Sequence, residues 1–201
     1  MLLNLLLLIV AYLLGSVPFG LLIGRVFYQT DLRDYGSGNI GTTNAFRALG
    51  RTGGLFVFVC DMLKAGLIVL ISQSFTAFTW HPLVYGIAVI LGHSFSIFLK
   101  FKGGKAVASS FGMGLFYAPL ISLLGIGAFF LVLYFSRMVS LASISGVLTA
   151  LVLSLLFTSD HFLQLILVIV CLIVILRHRT NIERILNGSE SKVPFGFRAK
   201  K

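Results

Sequence analysis

The chain has 201 residues, of which 58% are hydrophobic and 11% are charged, and its mean hydropathy is +1.02. Soluble domains carry about 25% charged residues, so this composition excludes an ordinary soluble protein and indicates an integral membrane protein. In a soluble protein the formal net charge of +10 would suggest nucleic acid, whereas beside apolar spans it indicates loops that face anionic lipid. We therefore expect one membrane-embedded domain over residues 1–201 and no nucleic-acid partner.

The first predicted span covers residues 1–24, which include no charged residue. The segment is long enough to cross a bilayer whose hydrocarbon core is about 30 Å thick. It also lacks the basic start of a signal peptide, so we expect a single retained helix and not a cleaved leader.

A polar, glycine-rich segment follows at residues 36–44, with the sequence GSGNIGTTN. Glycines let backbone N–H groups approach a ligand closely, and Ser, Asn and Thr side chains add neutral hydrogen bonds. Arg47 and Arg51 come next at helical spacing, which suits the binding of a phosphate by guanidinium groups. This pattern predicts a phosphate site, and the alternative is a polar turn with positively charged membrane anchors.

The uncharged stretch at residues 65–99 is too long for one span. His81-Pro82 breaks it, so we predict one helix over residues 53–72 and the next over residues 82–99.

The segment Phe101-Lys102-Gly103-Gly104-Lys105-Ala106 opens the next predicted helix. Successive N–H groups at a helix N-terminus, with a lysine beside them, can form an anion site, and the alternative is a loop that binds no ligand. The segment is not a Walker A loop, because Leu99 stands where the first glycine is required and Ala106 where Ser or Thr is required.

Residues 106–136 include no charged residue and would form a helix about 46 Å long, which is too long for one straight span. Pro119 lies near the middle and favours a break. The number of crossings here decides on which side of the membrane the C-terminal segment lies.

The distribution of basic residues fixes the predicted sidedness. Residues 25–51, 100–105 and 177–201 are rich in Lys and Arg, whereas the turns at 73–82 and 158–161 have neither. The positive-inside tendency places the basic segments in the cytoplasm, which requires two crossings around Pro119. Together with spans at 138–159 and 162–176, this predicts an all-α integral membrane protein with seven transmembrane helices, two of them short. Its N-terminus is outside and its C-terminus inside.

The third polar segment begins with His178 after the last predicted span. Asn181, Arg184 and Glu190 follow it. His178 and Glu183 match the spacing of a His-x4-acid motif, which is known as a catalytic pattern, but residues five apart do not share a helix face. We therefore do not predict a His–Glu dyad.

Two smaller features lie inside the predicted spans. Asp61 and Lys64 are three residues apart, and because an unpaired charge is costly in a bilayer we expect them to form an ion pair. Ser140 and Ser143 lie at the start of a later span, where serines either pack or contact a ligand.

Together these segments resemble the bacterial acyl-phosphate:glycerol-3-phosphate acyltransferase family over the whole chain. The signatures that carry the resemblance are Gly36-Ser37-Gly38-Asn39-Ile40-Gly41 with Thr43-Asn44 and Arg47, then Gly92-His93-Ser94-Phe95 through Phe101-Lys102-Gly103-Gly104-Lys105 to Ala108 and Gly112, and finally His178, Asn181-Ile182 and Arg184 with Gly188 and Glu190. The chain departs from the family pattern at Ala106 and Ala65, where members often have glycine.

The resemblance implies transfer of a fatty acyl group from acyl phosphate to the primary hydroxyl of glycerol 3-phosphate. The products would be lysophosphatidic acid and phosphate, in the first acylation step of phospholipid synthesis, without a cofactor or a metal. It also implies a multi-pass protein of the cell membrane, in contact with membrane lipid, whose active site faces the cytoplasm. A soluble phosphate acyltransferase that makes the donor would be a transient partner.

The resemblance also implies roles for individual residues. His178, Lys105 and Asn181 are the expected catalytic residues. The expected substrate-binding residues are Ser37, Asn39, Thr43, Asn44, Arg47, Gly103, Gly104, Ser143, Arg184 and Glu190.

Two mechanisms remain open from the sequence. Either His178 is the general base, or a phosphate oxygen of a substrate takes the proton while His178 binds or orients; we favour the second. The rival classes are a transporter of anionic metabolites and a scaffold without chemistry. The transporter is not favoured, because no internal repeat is evident and the polar segments gather at one predicted face. The scaffold is not favoured, because it would not explain so much Gly, Ser and Asn beside Lys and Arg.

Overall fold

The computed structural model describes residues 1–197, which form nine α-helices and two short 3₁₀ turns, with no strand among these residues. The prediction of an all-α integral membrane protein is confirmed. Residues 198–201, which end the predicted cytoplasmic basic segment, lie outside the described residues.

The helices divide between two compact units, one comprising Met1–Tyr117 and the other the residues from Ala118 onward. The first unit consists of α1 (Leu2–Ser16), α2 (Phe19–Tyr28), α3 (Thr42–Ser74), α4 (Pro82–Ser94) and α5 (Val107–Tyr117), with 3₁₀ turns at Leu32–Asp34 and Ile97–Leu99. The second unit includes α6 (Pro119–Ser136), α7 (Val139–Phe157), α8 (His161–Arg177) and α9 (Arg179–Leu186). Whether the two units act as the single predicted domain stays a prediction.

Several helices are suited to cross a membrane. Four meet the requirement of length and apolar composition by themselves: α3, α4 with its following 3₁₀ turn, α6 and α7. Two bent pairs, α1 with α2 and α8 with α9, raise the number to six if each pair is one span, and α5 is a shorter apolar helix. The predicted count of seven and the predicted orientation stay predictions.

The first predicted span is not one continuous helix. Helix α1 ends at Ser16, α2 begins at Phe19, and the two axes are bent by 48°. Pro18 lies between them and has no N–H to donate, and it also disfavours a helical conformation for Val17, whose φ and ψ are −60° and 117°. The expectation of a single helix over residues 1–24 was therefore wrong.

Helix α3 begins at Thr42, eleven residues earlier than the predicted 53–72, and it includes a kink. Gly50 has φ 74° and ψ −169°, a conformation outside the helical region that glycine tolerates. Arg47 lies before the kink and Arg51 after it, so the continuous helical spacing on which their joint phosphate binding was predicted does not apply.

Pro119 separates two helices, as predicted. Helix α5 ends at Tyr117 and α6 begins at Pro119, where the missing N–H of proline has no cost. With 18 residues α6 is about 27 Å long, close to a full span, whereas α5 has 11 residues. The prediction that both helices would be short holds for α5 alone.

Helices α1 and α4 pack closely through glycines. A Cβ atom on Gly15 would collide with the backbone oxygen of Val89, and one on Gly92 would collide with the backbone oxygen of Tyr12. Small residues let helix backbones approach each other, which is how helices associate when lipid offers no hydrophobic driving force.

We expect the substitution Gly92→Ala to destabilise the protein by about 1–3 kcal/mol, because the added methyl group must push α1 away from α4. Thermal unfolding in detergent measures the effect. Gly127→Ala in α6 is the matched control, since a Cβ there meets nothing within 4 Å. Equal unfolding midpoints for the two variants would contradict the proposed close packing.

Candidate active site

The glycine-rich segment at residues 36–44 is a loop closed by the side chain of Asn44. The Asn44 amide nitrogen donates to the backbone oxygens of Leu32 (2.8 Å) and Tyr35 (3.0 Å), and its oxygen accepts from Ser37 N–H (3.1 Å). Gly36 lies against Asn44 with φ 54°, so a side chain at position 36 would be strained and would collide with the amide. Asn44 was predicted to bind substrate, but in the structure its buried amide is used to fold the loop.

Asn39 shapes the turn that leads into α3. Its side-chain oxygen accepts from Gly41 N–H at 2.9 Å, and its own N–H lies 3.4 Å from Ser37 Oγ. Gly41 caps α3 without any side-chain hydrogen bond to the first N–H groups of the helix, which include that of Thr43. The loop therefore presents exposed Ser37 beside a helix N-terminus, an arrangement that attracts anions.

Arg47 places a positive charge next to this loop. Its side chain is exposed, its Cδ lies 3.5 Å from where a Cβ on Gly36 would be, and within residues 1–197 it makes neither a hydrogen bond nor an ion pair. Arg25 and Arg33, by contrast, both pair with Asp31 at 2.7 Å. Hydrogen bonds from Arg33 first, and from Arg25, hold the pKa of the Asp31 carboxyl well below its usual value.

The loop before α5 is built differently from the prediction. Gly103 N–H donates to the backbone oxygen of Ser94 at 3.1 Å, and Gly104 N–H donates to that of His93 at 2.9 Å. The two amides, which we expected to bind phosphate, are therefore used within the protein. A Cβ at either position would collide with residues 93–94, so these glycines allow close packing of the loop.

Lys105 and Ala106 connect this loop to α5. Lys105 is half-buried and lies two residues before the helix begins at Val107. Ala106 is buried with φ 60°, a left-handed conformation that is strained for any residue with a Cβ. Glycine would adopt this conformation without strain.

The expected ion pair inside α3 is present. Lys64 Nζ and Asp61 Oδ1 are 2.7 Å apart, and both side chains are buried. His93 joins them, with its Nδ1 2.8 Å from Lys64 Nζ, a contact that the sequence does not predict. No spacing rule connects residues 29 positions apart, so only the packing of α3 against α4 shows it.

In the second unit Glu190 organises the polar residues around α9. Its Oε1 accepts from Ser140 Oγ (2.6 Å) and Asn181 Nδ2 (2.7 Å), and its Oε2 accepts from Arg184 Nε (2.8 Å). Burial alone raises the pKa of the Glu190 carboxyl, but the hydrogen bonds from Ser140, Arg184 and Asn181 outweigh burial and lower the pKa. Glu190 and Arg184, both predicted to bind substrate, thus hold Asn181 in place.

Ser143 is also placed differently from the prediction. Its hydroxyl donates to the backbone oxygen of Val139 at 2.8 Å, as serines inside helices commonly do. The hydroxyl hydrogen of Ser143 is thus used within the helix in this structure, and its predicted contact with a phosphate stays a prediction.

His178 lies at the 62° bend between α8 and α9 and is 3% exposed. Its Nδ1 is 2.8 Å from the backbone oxygen of Val174, and because a carbonyl only accepts, Nδ1 must carry a hydrogen. In the neutral ring the lone pair is therefore on Nε2. The backbone carbonyl of Val174 thus helps to orient the imidazole.

These features define an integral membrane protein with a glycine-rich, arginine-flanked loop in one unit and a His–Asn–Glu group in the other. A family model described as Glycerol-3-phosphate acyltransferase matches residues 5–188. The chain belongs to this family of acyltransferases.

Curated relatives support the assignment along the entire chain. The chain is 46% identical over 209 residues to the glycerol-3-phosphate acyltransferase of Lactococcus lactis subsp. lactis, covering 100% of this chain and 98% of that protein. It is 47% identical over 188 residues to that of Geobacillus kaustophilus, covering 94% and 95%.

Solved structures agree with the fold. The crystal structure of PlsY (YgiH), an integral membrane glycerol 3-phosphate acyltransferase, in its glycerol 3-phosphate form has a TM-score of 0.87 at 36% identity and covers 94% of this chain and 95% of that chain. The lysphosphatidic acid form has a TM-score of 0.86 at 35% identity, with 94% of each chain covered. The protein is thus a membrane acyltransferase of phospholipid synthesis, and the transporter and scaffold alternatives are set aside.

We predict that Glu190→Gln lowers the unfolding temperature at neutral pH, because the carboxylate that accepts three hydrogen bonds loses its charge. The folded-state pKa of Glu190 lies below its usual value of 4.5, so the ionised carboxylate stabilises the fold above that pH. The contribution is lost as the pH falls through the folded-state pKa.

Thermal unfolding of wild type and variant between about pH 7 and pH 3 measures this effect. The two unfolding temperatures should converge at the acid end. Glu183→Gln, on the exposed face of α9, is the control and should match wild type throughout. A difference between Glu190→Gln and wild type that persists unchanged at the lowest pH would contradict the account.

Proposed function

We propose that this protein transfers a fatty acyl group from acyl phosphate to glycerol 3-phosphate. The primary hydroxyl oxygen attacks the acyl carbonyl carbon, the bond between that carbon and the phosphate oxygen breaks, and phosphate leaves with the electron pair. The hydroxyl proton goes to a phosphate oxygen of a substrate. The products are lysophosphatidic acid and phosphate.

The observation that supports this donor is the hydrogen bond from His178 Nδ1 to a backbone carbonyl. A histidine that acts as a strong general base is usually oriented by a carboxylate that stabilises the imidazolium. A carbonyl does this less well, because it has no full negative charge. A mixed anhydride such as acyl phosphate has a good leaving group and requires little help from a base, whereas a less reactive thioester would require more.

The first unit supplies the groups suited to phosphate. Arg47 offers an exposed guanidinium, which binds phosphate oxygens through two parallel hydrogen bonds. Ser37 and the first N–H groups of α3, including that of Thr43, lie in the same loop and helix N-terminus. We assign these groups and Lys105 to the phosphates of the two substrates. Asn39, Asn44, Gly103 and Gly104 act by holding the two loops in shape.

Asn181 and His178 are the predicted orienting groups. Asn181 is held by Glu190, which Ser140 and Arg184 hold in turn. We assign Asn181 and His178 to orientation of the reacting groups around the carbonyl, where one correctly aimed donor contributes about 3 kcal/mol.

The distribution of basic residues supports a location in the cell membrane with the site facing the cytoplasm. The turns at residues 73–82 and 158–161 have no Lys or Arg, whereas residues 25–51 include four Arg and residues 100–105 include three Lys. On this side the donor can be delivered by a soluble phosphate acyltransferase, with its acyl chain in lipid and its phosphate in the polar site.

The purified protein, given glycerol 3-phosphate with either acyl phosphate or acyl-CoA, tests the proposed donor. Lysophosphatidic acid and phosphate should form in equal amounts from acyl phosphate and not from acyl-CoA. Formation from acyl-CoA alone would overturn the proposed donor and leave the family assignment in place.

Replacing Arg47 tests the phosphate loop. We expect Arg47→Ala to lower kcat/KM by about 10²-fold, since a charge-assisted bond to phosphate is worth about 3 kcal/mol. Arg51→Ala is the matched control, because Arg51 is also exposed but lies beyond the Gly50 kink, and it should stay within about threefold of wild type. Equal losses in the two variants would indicate a general effect of surface charge.

Replacing His178 separates the two mechanisms. If the substrate takes the proton, His178→Ala should lower kcat by clearly less than about 10³-fold, because general-base catalysis contributes about 10²–10⁴. His178→Asn is the companion variant, since its side-chain amide is able to donate to Val174 in place of Nδ1 but has no basic nitrogen. A loss of about 10³-fold or more in both variants at unchanged KM would contradict substrate assistance.

A further inference from the structure

The first unit includes a buried polar cluster that the proposed chemistry does not use. Asp61, Lys64 and His93 are 2%, 3% and 6% exposed. Lys64 Nζ donates to Asp61 Oδ1 at 2.7 Å and lies 2.8 Å from His93 Nδ1, while its distance to the backbone oxygen of Val17 is 3.4 Å. The three hydrogens of the ammonium group thus face three acceptors.

This arrangement determines which nitrogen of His93 carries its hydrogen. A lysine ammonium group only donates, so Nδ1 must accept, and the neutral ring then has its hydrogen on Nε2. Asp61 Oδ1 is farther from Nδ1, at 3.4 Å, which agrees with Lys64 as the partner of Nδ1. Lys64 therefore fixes both the orientation and the tautomer of the imidazole.

The other side of the His93 ring supports the loop that includes Lys105. A Cβ on Gly104 would collide with His93 Nε2, so the loop backbone lies directly on the ring. The backbone oxygen of His93 accepts from Gly104 N–H at 2.9 Å, and that of Ser94 accepts from Gly103 N–H at 3.1 Å. The residue that Lys64 orients is thus the residue on which the loop rests.

Stability alone does not account for these residue types. A buried ion pair is often no more stabilising than apolar residues of the same volume, because removing two charges from water is costly. Hydrogen-bonded polar groups also restrict the side chains to one arrangement. In this cluster the contacts connect α3, through the ring of His93, to the loop at residues 101–106.

We propose that Asp61, Lys64 and His93 are positioning residues that fix the loop of Lys105 for phosphate binding. The proposal rests on the proposed function, in which Lys105 contacts a substrate phosphate. None of the three residues touches the substrate; Asp61 holds Lys64, Lys64 holds His93, and His93 supports Gly103 and Gly104.

The test uses the full-length protein in detergent with two variants. Lys64→Met alone leaves the Asp61 carboxylate buried and unpaired, which endangers folding. The main variant is therefore the double substitution Asp61→Asn with Lys64→Met, which removes both charges together. The second is His93→Ala, which removes the support of the loop and leaves the ion pair in place.

Asn4→Ala is the matched control. Asn4 is also buried, and its side chain makes three hydrogen bonds, two to Thr79 and one to Tyr85, but none to residues 93–106. It joins helices of the same unit, so its loss should lower the unfolding temperature without altering the Lys105 loop.

Two readouts distinguish positioning from general stability. Hydrogen exchange of the peptide covering residues 101–106 should be at least about tenfold faster in both test variants and unchanged in the control. The kcat/KM should fall by about 10²-fold, mainly through a higher KM for a phosphate-bearing substrate, in the test variants only.

Unchanged exchange and unchanged kinetics in both test variants would overturn the proposal, and so would equal changes in Asn4→Ala. The exchange measurement does not depend on the reaction. If wild-type protein forms no product from acyl phosphate, the proposed function fails, while faster exchange at residues 101–106 still supports the positioning of the loop.

Discussion

Lys64 donates its three hydrogens to acceptors on three segments of the first unit, and the placement of the neighbouring loop depends on that arrangement. A bilayer offers no water to an unpaired polar group, so each such group must find its partner inside the protein. An ion pair is therefore tolerated in a span only with a complete set of partners. The cluster meets this condition and at the same time connects α3, α4 and the loop before α5.

The same requirement separates the motif residues into two groups. Asn44, Gly103, Gly104 and Glu190 have their polar groups occupied by other parts of the chain, so they shape the site. Arg47 differs, because its charge is exposed and uncommitted among the described residues. A sequence motif thus combines residues that build a loop with residues that contact the ligand, and only the hydrogen bonds of the folded chain tell them apart.

Much of the architecture follows from the sequence because charge and proline act locally. The all-α class, the break at Pro119 and the Asp61–Lys64 pair were predicted and are confirmed. Pro18 also separates two helices. We did not predict this break, because the long uncharged run suggested one continuous helix.

The contacts that depend on packing were not predictable from the sequence. His93 meets Lys64 across 29 residues, and the positive φ of Ala106 has no signature in the residue type. The hydroxyl of Ser143 and the amides of Gly103 and Gly104 donate within the protein, which spacing does not reveal, because it shows where a donor lies but not whether its hydrogen is already used.

The central claim is that the loop at residues 36–44, together with Arg47 near the start of α3, binds the phosphate of the substrate. Hydrogen exchange of the wild-type protein with and without glycerol 3-phosphate tests it most directly. The account predicts slower exchange for peptides covering residues 36–47, and unchanged exchange at 73–82. Protection at 73–82 without any change at 36–47 would contradict it.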